Sequence, residues 1–304
     1  MLFKKRLIPA GLTTLSLPYS DSLQKTVRVY VPEHKKGQKL PVIYMTDGQS
    51  VFDEESNPLG CWHTREAVAA EQAASGKAAI IVGIHSEPHP MHRTAELTPA
   101  SIGAFTPPPM DDLPPMPPMP EGMPPMPGGM PPMPENMTPE MLRKMMEDMM
   151  KNFKPDGEKF DEFVVSTVMP AVEKQFPVKK GRDNTAIIGS SSGGLEVFYT
   201  ALTHPSLFCA VGALSPAFLF YKPEDVVKWT SERLGKTIPF LYLYCGEGEP
   251  KEKQMCDAAR PVFELIESRV PEKNRRIVIT PDAIHNESAW EPVFKDFLHL
   301  FLHR

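Results

Sequence analysis

The chain has 304 residues, 41% hydrophobic and 23% charged, so it can enclose a sizeable core and is not disordered as a whole. A net charge of −5, with a pI of about 6.0, excludes the broad basic surface of a nucleic-acid binder or of a peripheral membrane protein. No run of about 18 apolar residues occurs, which excludes a spanning helix.

At the amino end, Lys4-Lys5-Arg6 ahead of Leu7-Ile8 imitates the basic start of a signal peptide. Pro9, Gly11, Thr13 and Thr14 then interrupt the apolar stretch, so the segment is read as the lead-in to a first strand and a cytoplasmic location is expected. Strands are predicted over 25–31, 40–45, 79–84, 185–188, 209–214, 240–245 and 276–280. Several are near-continuous apolar runs of the kind that are covered on both faces. Helices are predicted over 65–74, 159–175, 194–202, 257–268 and 288–302. Strands alternating with helices of this length imply a single α/β domain, 1–304, built on a mainly parallel sheet with helices on both faces. Cys61, Cys209, Cys245 and Cys256 show neither a CxxC nor a Cys/His ligand spacing, so no metal, cofactor or disulfide scaffold is expected.

Between the third and fourth of these strands the composition changes abruptly. From 107 to 134, 14 of 28 residues are Pro and 7 are Met, which rules out helix and interior strand there. Thr138-Pro139-Glu140 then reads as a helix start. Met141, Leu142, Met145, Met146, Met149, Met150 and Phe153 recur at helical spacing, so an amphipathic, methionine-striped helix is predicted over 141–153. Residues 106–155 are therefore read as a low-complexity insertion. Its helix is expected either as a lid or wall beside an apolar substrate or as plain packing, and its thioether pairs would also suit Cu(I).

The strongest chemical signal is Gly189-Ser190-Ser191-Ser192-Gly193-Gly194, which follows a predicted strand and precedes a predicted helix. It fits G-x-S-x-G with Ser191 at the centre. Small flanking residues let the backbones close in on a sharp turn that lifts the hydroxyl to a helix N-terminus. Such a serine needs a base, and the base needs an orienting acid. In the chain order Ser, acid, His, five histidines precede the serine, His299 and His303 fall on or after the last helix, and His204 should close the elbow helix on the wrong face. His285, in a loop after the last strand, remains. For the acid, Glu249 is preferred over Glu247 and Glu252, because Gly246-x-x-Glu249 follows the penultimate strand by a short turn. An oxyanion hole would use the backbone N–H of Ser192 and one from the loop Met45-Thr46-Asp47-Gly48-Gln49, with Gln49 or Gly48 as donor.

Together with VIYMTDGQSVFDEES (42–56), Trp62, IIVGI (80–84), Arg93 with ELTP (96–99), LSPAF (214–218) and HNESAW (285–290), these residues resemble the enterochelin-esterase-like, esterase D-related branch of the α/β-hydrolases. The resemblance spans most of the chain outside about 106–155. It implies an eight-stranded sheet and a serine carboxylesterase, with Ser191 as nucleophile, His285 as base, Gln49 and Ser192 as oxyanion donors, and Asp47, Gly48 and Trp62 near the substrate. The implied substrate is a small-molecule ester with a bulky or aromatic acyl group, and neither nucleic acid nor membrane is expected as a partner. Two other readings stand beside it: an acyltransferase on the same scaffold, and a non-catalytic binding protein that uses the Pro/Met-rich segment.

Overall fold

The computed structural model describes residues 7–53, 60–106, 144 and 153–304. The Pro/Met tract and the methionine-striped helix therefore lie outside the described residues, apart from Lys144 and Phe153. Eight strands form the main sheet: β1 (Gly11–Pro18), β2 (Gln24–Val31), β3 (Val42–Met45), β4 (Ile80–Ile84), β5 (Thr185–Ser190), β6 (Ala210–Leu214), β7 (Phe240–Gly246) and β8 (Arg275–Thr280). Their order across the sheet is β8-β7-β6-β5-β3-β4-β2-β1. From β4 to β8 every pairing is parallel, while β2 runs antiparallel to β4 and to β1.

Among the described residues seven α-helical segments longer than one turn accompany these strands: α1 (Thr64–Ser75), α2 (Pro90–Glu96), α3 (157–175), α4 (Ser192–Thr203), α5 (Pro223–Arg233), α6 (Pro250–Arg269) and α7 (Glu287–Leu302). A π-helical turn at Val164–Val168 interrupts α3. Successive strand residues point to opposite faces, and the core divides accordingly. Val42 and Tyr44 join Val168, Phe198, Trp229 and Phe263 on one side, whereas Ile43 and Met45 join Val68, Trp62, Trp290 and Phe294 on the other. Both faces are thus covered by helices, which is why β3, β4 and β6 are buried at every residue.

Three elements exceed the sequence expectation. β1 is a full edge strand rather than a lead-in, with Leu12, Leu15 and Leu17 half-buried and the other five residues exposed. α2 and α5 were not predicted. Each opens with Pro at its first position, and Glu224 and Asp225 add negative charge to the first turn of α5. Around the Pro/Met-rich stretch the described chain leaves and re-enters at one place. The Phe105 and Phe153 rings stack 4.2 Å apart, Thr106 N–H donates to Phe220 O, and Asp156 N–H donates to Ala95 O.

Candidate active site

The parallel registers bring the carboxyl ends of β3, β5, β6, β7 and β8 to one edge. Met45 lies beside Ile188, Ser190 beside Leu214, Leu214 beside Tyr244, and Gly246 beside Thr280. Ser191 caps α4 directly after β5, with φ 59° and ψ −128°, a conformation that L-residues rarely adopt. Its N–H is tied to Leu214 O at 2.9 Å, and its carbonyl accepts from Ala217 N–H at 3.1 Å. The flanking glycines are required by contact. A Cβ on Gly189 would lie 2.3 Å from Thr46 Oγ1, and one on Gly193 would lie 2.2 Å from the same atom and 2.8 Å from Asp47 Oδ2. The turn is therefore clamped against the loop that follows β3.

His285 sits in the loop between β8 and α7 with its side chain 5% exposed. Its Nδ1 lies 2.5 Å from Glu252 Oε2, so the carboxylate on the imidazole is that of Glu252 and not of Glu249. Glu249 holds the same loop differently, by accepting the His285 backbone N–H at 3.0 Å. Local geometry explains the exchange. Glu249 caps α6 with extended backbone, whereas Glu252 stands in the first helical turn and is fully buried. There its Oε1 accepts from Gly246 N–H at 2.7 Å and from the Ser215 hydroxyl, which in turn accepts from Trp290 Nε1 at 3.2 Å. Burial alone would raise the Glu252 pKa, but the hydrogen bonds from His285, Ser215 and Gly246 overbalance it and hold the carboxyl below its ordinary value. The Trp290 ring also packs edge-on against the imidazole at 5.0 Å. Glu247 is turned away, ion-paired with Arg260. His204 lies at the end of α4 on Asp161, away from this edge.

The loop after β3 is held by Asp47, in the left-handed region at φ 53°. Its carboxylate accepts from Arg93 Nε at 2.5 Å and Arg93 Nη2 at 2.7 Å, from Ser86 Oγ at 2.6 Å, and from Gln49 Nε2 at 3.3 Å. Burial opposes ionisation, but the guanidinium and the hydroxyl hold the Asp47 pKa below its usual value. Gly48 passes so close to β4 that a Cβ there would meet the Gly83 carbonyl carbon at 2.4 Å. Three residues expected near substrate are thus otherwise engaged. Asp47 is neutralised within the protein, and Gly48 is backbone packing. Trp62, 3% exposed, is wedged against Trp290 at 6.1 Å and Phe294 at 6.3 Å. The indole is large and apolar, and the core between α1 and α7 buries it.

Among the described residues four non-glycines have positive φ, and three of them, Asp47, Ser191 and Ser215, follow β3, β5 and β6 at this edge. Each such backbone costs of order 1–3 kcal/mol. Their grouping around one hydroxyl and one carboxylate–imidazole pair marks the functional edge more sharply than any single motif does. Sequence reasoning quoted Ser215 only within LSPAF (214–218) and gave it no role of its own.

A mainly parallel eight-stranded sheet of this order, covered by helices on both faces, is the α/β-hydrolase fold, and the strained serine and the buried carboxylate–histidine pair lie at its carboxyl edge. Residues 147–294, just under half of the chain, match the family described as "Putative esterase". An endo-1,4-beta-xylanase/feruloyl esterase of Xylanibacter ruminicola is 28% identical over 96 residues, 32% of this chain and 12% of that protein. The Bacillus subtilis protein YbbA is 22% identical over 145 residues, 46% of this chain and 58% of YbbA. The chain thus spans only part of the length of these relatives. Siderophore hydrolase EstA from Aspergillus nidulans superposes with a TM-score of 0.64 at 16% identity, covering 96% of this chain and 94% of that one, which bears on the fold.

Proposed function

We propose that the protein hydrolyses carboxylic esters through an acyl-enzyme. Ser191 Oγ attacks the ester carbonyl while His285 takes its proton. The imidazole then returns that proton to the departing alkoxide, and water repeats the sequence in reverse roles to release the acid. With Nδ1 engaged by Glu252, Nε2 is the nitrogen left to exchange protons with the serine. Glu252 orients the ring and stabilises the imidazolium that forms. The oxyanion is assigned to the N–H of Ser192, in the first turn of α4, and to that of Gln49, in the short 3₁₀ turn Gly48–Ser50. First-turn N–H groups have no partner within their own helix. Arg93, Ser86 and the Gln49 side chain hold the second donor in place through Asp47. A bulky or aromatic acyl group is the proposed substrate class, supported by the name of the Xylanibacter ruminicola relative.

The observation that carries this reading is the buried Glu252–His285 pair at the edge where Ser191 is held at positive φ. Two experiments test it. A fluorophosphonate probe should label wild type at Ser191 and leave Ser191→Ala unlabelled. On an aryl ester, Glu252→Gln should lower kcat by about 10²–10⁴-fold, because the amide keeps the shape but no longer stabilises the imidazolium, whereas Glu249→Gln should cost less than about tenfold. A larger loss from Glu249→Gln than from Glu252→Gln would overturn the assignment of the acid. Activity persisting in Ser191→Ala would overturn the mechanism.

A further inference from the structure

On the sheet face opposite α4, α1 and α7 run side by side in the same direction. His63 Nδ1 lies 2.8 Å from Glu291 Oε2, and eight residues further along both helices Glu71 meets His299. His299 and His303 stand four apart at the end of α7, so they share one face, and their rings stack 4.2 Å apart. Glu71 reaches across from α1 to both. Its Oε2 lies 3.2 Å from His299 Nδ1, and its Oε1 lies 2.9 Å from His303 Nε2.

We propose that Glu71, His299 and His303 form a site for a divalent transition-metal ion of the zinc, nickel or copper(II) kind, which would staple α1 to α7. The three ligand atoms lie within 4.8 Å of one another. A tetrahedral ion bound at ~2.0–2.1 Å wants its ligand atoms about 3.3 Å apart, so small side-chain rotations suffice. Two imidazoles and one carboxylate favour transition metals over magnesium or calcium, which prefer oxygen ligands.

The surroundings supply further fit. Ser75 Oγ donates to Glu71 Oε1 at 2.6 Å, orienting the carboxylate, and Glu71 is only 13% exposed, so it is already held in place. The two imidazoles are more open, at 55% and 33%, which leaves a path for the ion and for water in its remaining positions. Binding replaces the proton on His303 Nε2 and requires one on Nδ1. Lys77 Nζ, now 3.3 Å from that nitrogen, then withdraws to the Leu302 carbonyl, to which it already donates at 3.0 Å. The exposed ammonium makes that shift inexpensive. No cysteine takes part in this cluster. The sequence cue is the His-x₃-His at the end of α7, and the third ligand comes from 228 residues away.

The test uses the full chain without an affinity tag. In a calorimetric titration with zinc chloride, wild type should bind one equivalent. His299→Ala/His303→Ala should weaken that binding by at least tenfold, and so should Glu71→Ala. His89→Ala/His92→Ala, which removes the other close histidine pair (ring centroids 4.7 Å apart), should leave it unchanged. Zinc should raise the melting temperature of wild type but not of His299→Ala/His303→Ala, and magnesium should raise neither. The double variant should keep wild-type ester turnover without added metal, since these residues are remote from Ser191. Equal zinc affinity in wild type and His299→Ala/His303→Ala would overturn the proposal, and so would the absence of saturable binding by wild type.

Discussion

Glu196 offers a sharp quantitative test of how the elbow helix is packed. It lies in the second turn of α4, 1% exposed, and neither carboxyl oxygen finds a hydrogen-bond partner among the described residues. A Cβ on Gly157 would meet its Oε2 at 2.6 Å, so backbone closes over it. Burial raises its pKa well above the ordinary carboxylate value, and the nearby charges of Asp161, Glu158 and Glu96 push in the same direction. The folded state therefore holds a proton that the unfolded chain gives up near pH ~4.3. Below that pH both states are protonated and the fold suffers no penalty. Above it the unfolded state gains, and stability falls by about 1.36 kcal/mol per pH unit until the folded carboxyl itself ionises. Glu196→Gln keeps the shape of the neutral acid and cannot ionise. Urea denaturation at pH 4, 5, 6 and 7 should show the variant close to wild type at pH 4. Its advantage should then grow with pH, at a slope no steeper than the release of one proton, about tenfold in the folding equilibrium per unit. Parallel stability–pH curves for the two proteins would refute the claim that Glu196 is buried as the neutral acid.

Two further predictions concern the loop after β3. Arg93→Met should destabilise the protein by about 3–5 kcal/mol, because it leaves the Asp47 carboxylate buried without its cation, while Asp47→Asn/Arg93→Met should recover part of that loss in the same denaturation assay. Gly48→Ala should cost about 1–3 kcal/mol or more, since its Cβ would strike the Gly83 backbone. Gly235→Ala, which meets nothing within 4 Å, should stay within about 0.5 kcal/mol of wild type.

The sheet was largely legible because its strands are buried on both faces, and long apolar runs between turn residues have few other readings. The edge was harder. β1 carries Gly11, Thr13, Thr14 and Ser16, and half of it faces solvent, so its pattern is weak without the register to β2 that the antiparallel pairing supplies. The nucleophile turn could be read because Gly189 and Gly193 frame one serine within five residues, although the contacts that demand them, Thr46 and Asp47, lie far off in sequence. The acid could not be fixed by counting from the strand. Glu249 and Glu252 both follow β7, and only the helix that starts between them separates their roles. A cue was present all the same. Glu252 falls in step with Met255, Cys256, Ala259, Val262, Phe263 and Ile266, the buried stripe of α6. A carboxylate on an apolar stripe has to find partners, and this one finds three.

The same reasoning applies to Trp62 and Asp47, which are expected beside a substrate and are buried among protein partners. A motif reports that a residue is specified, not whether it touches a ligand. Asp47 is specified because a left-handed turn that crosses Gly83 needs a polar anchor, and Arg93 supplies the charge that makes a buried anchor tolerable. Trp62 is specified because His285 sits at the head of α7. The indole packs on Trp290 and Phe294 of that helix, and Trp290 in turn touches the imidazole and donates to Ser215. The histidine is therefore positioned from two sides. Its ring is held by Glu252 on α6, and its loop by a helix whose far end meets Glu71. Side chains such as Trp290, which never meet an ester, position the histidine by this route, at the end of α7 opposite His299 and His303.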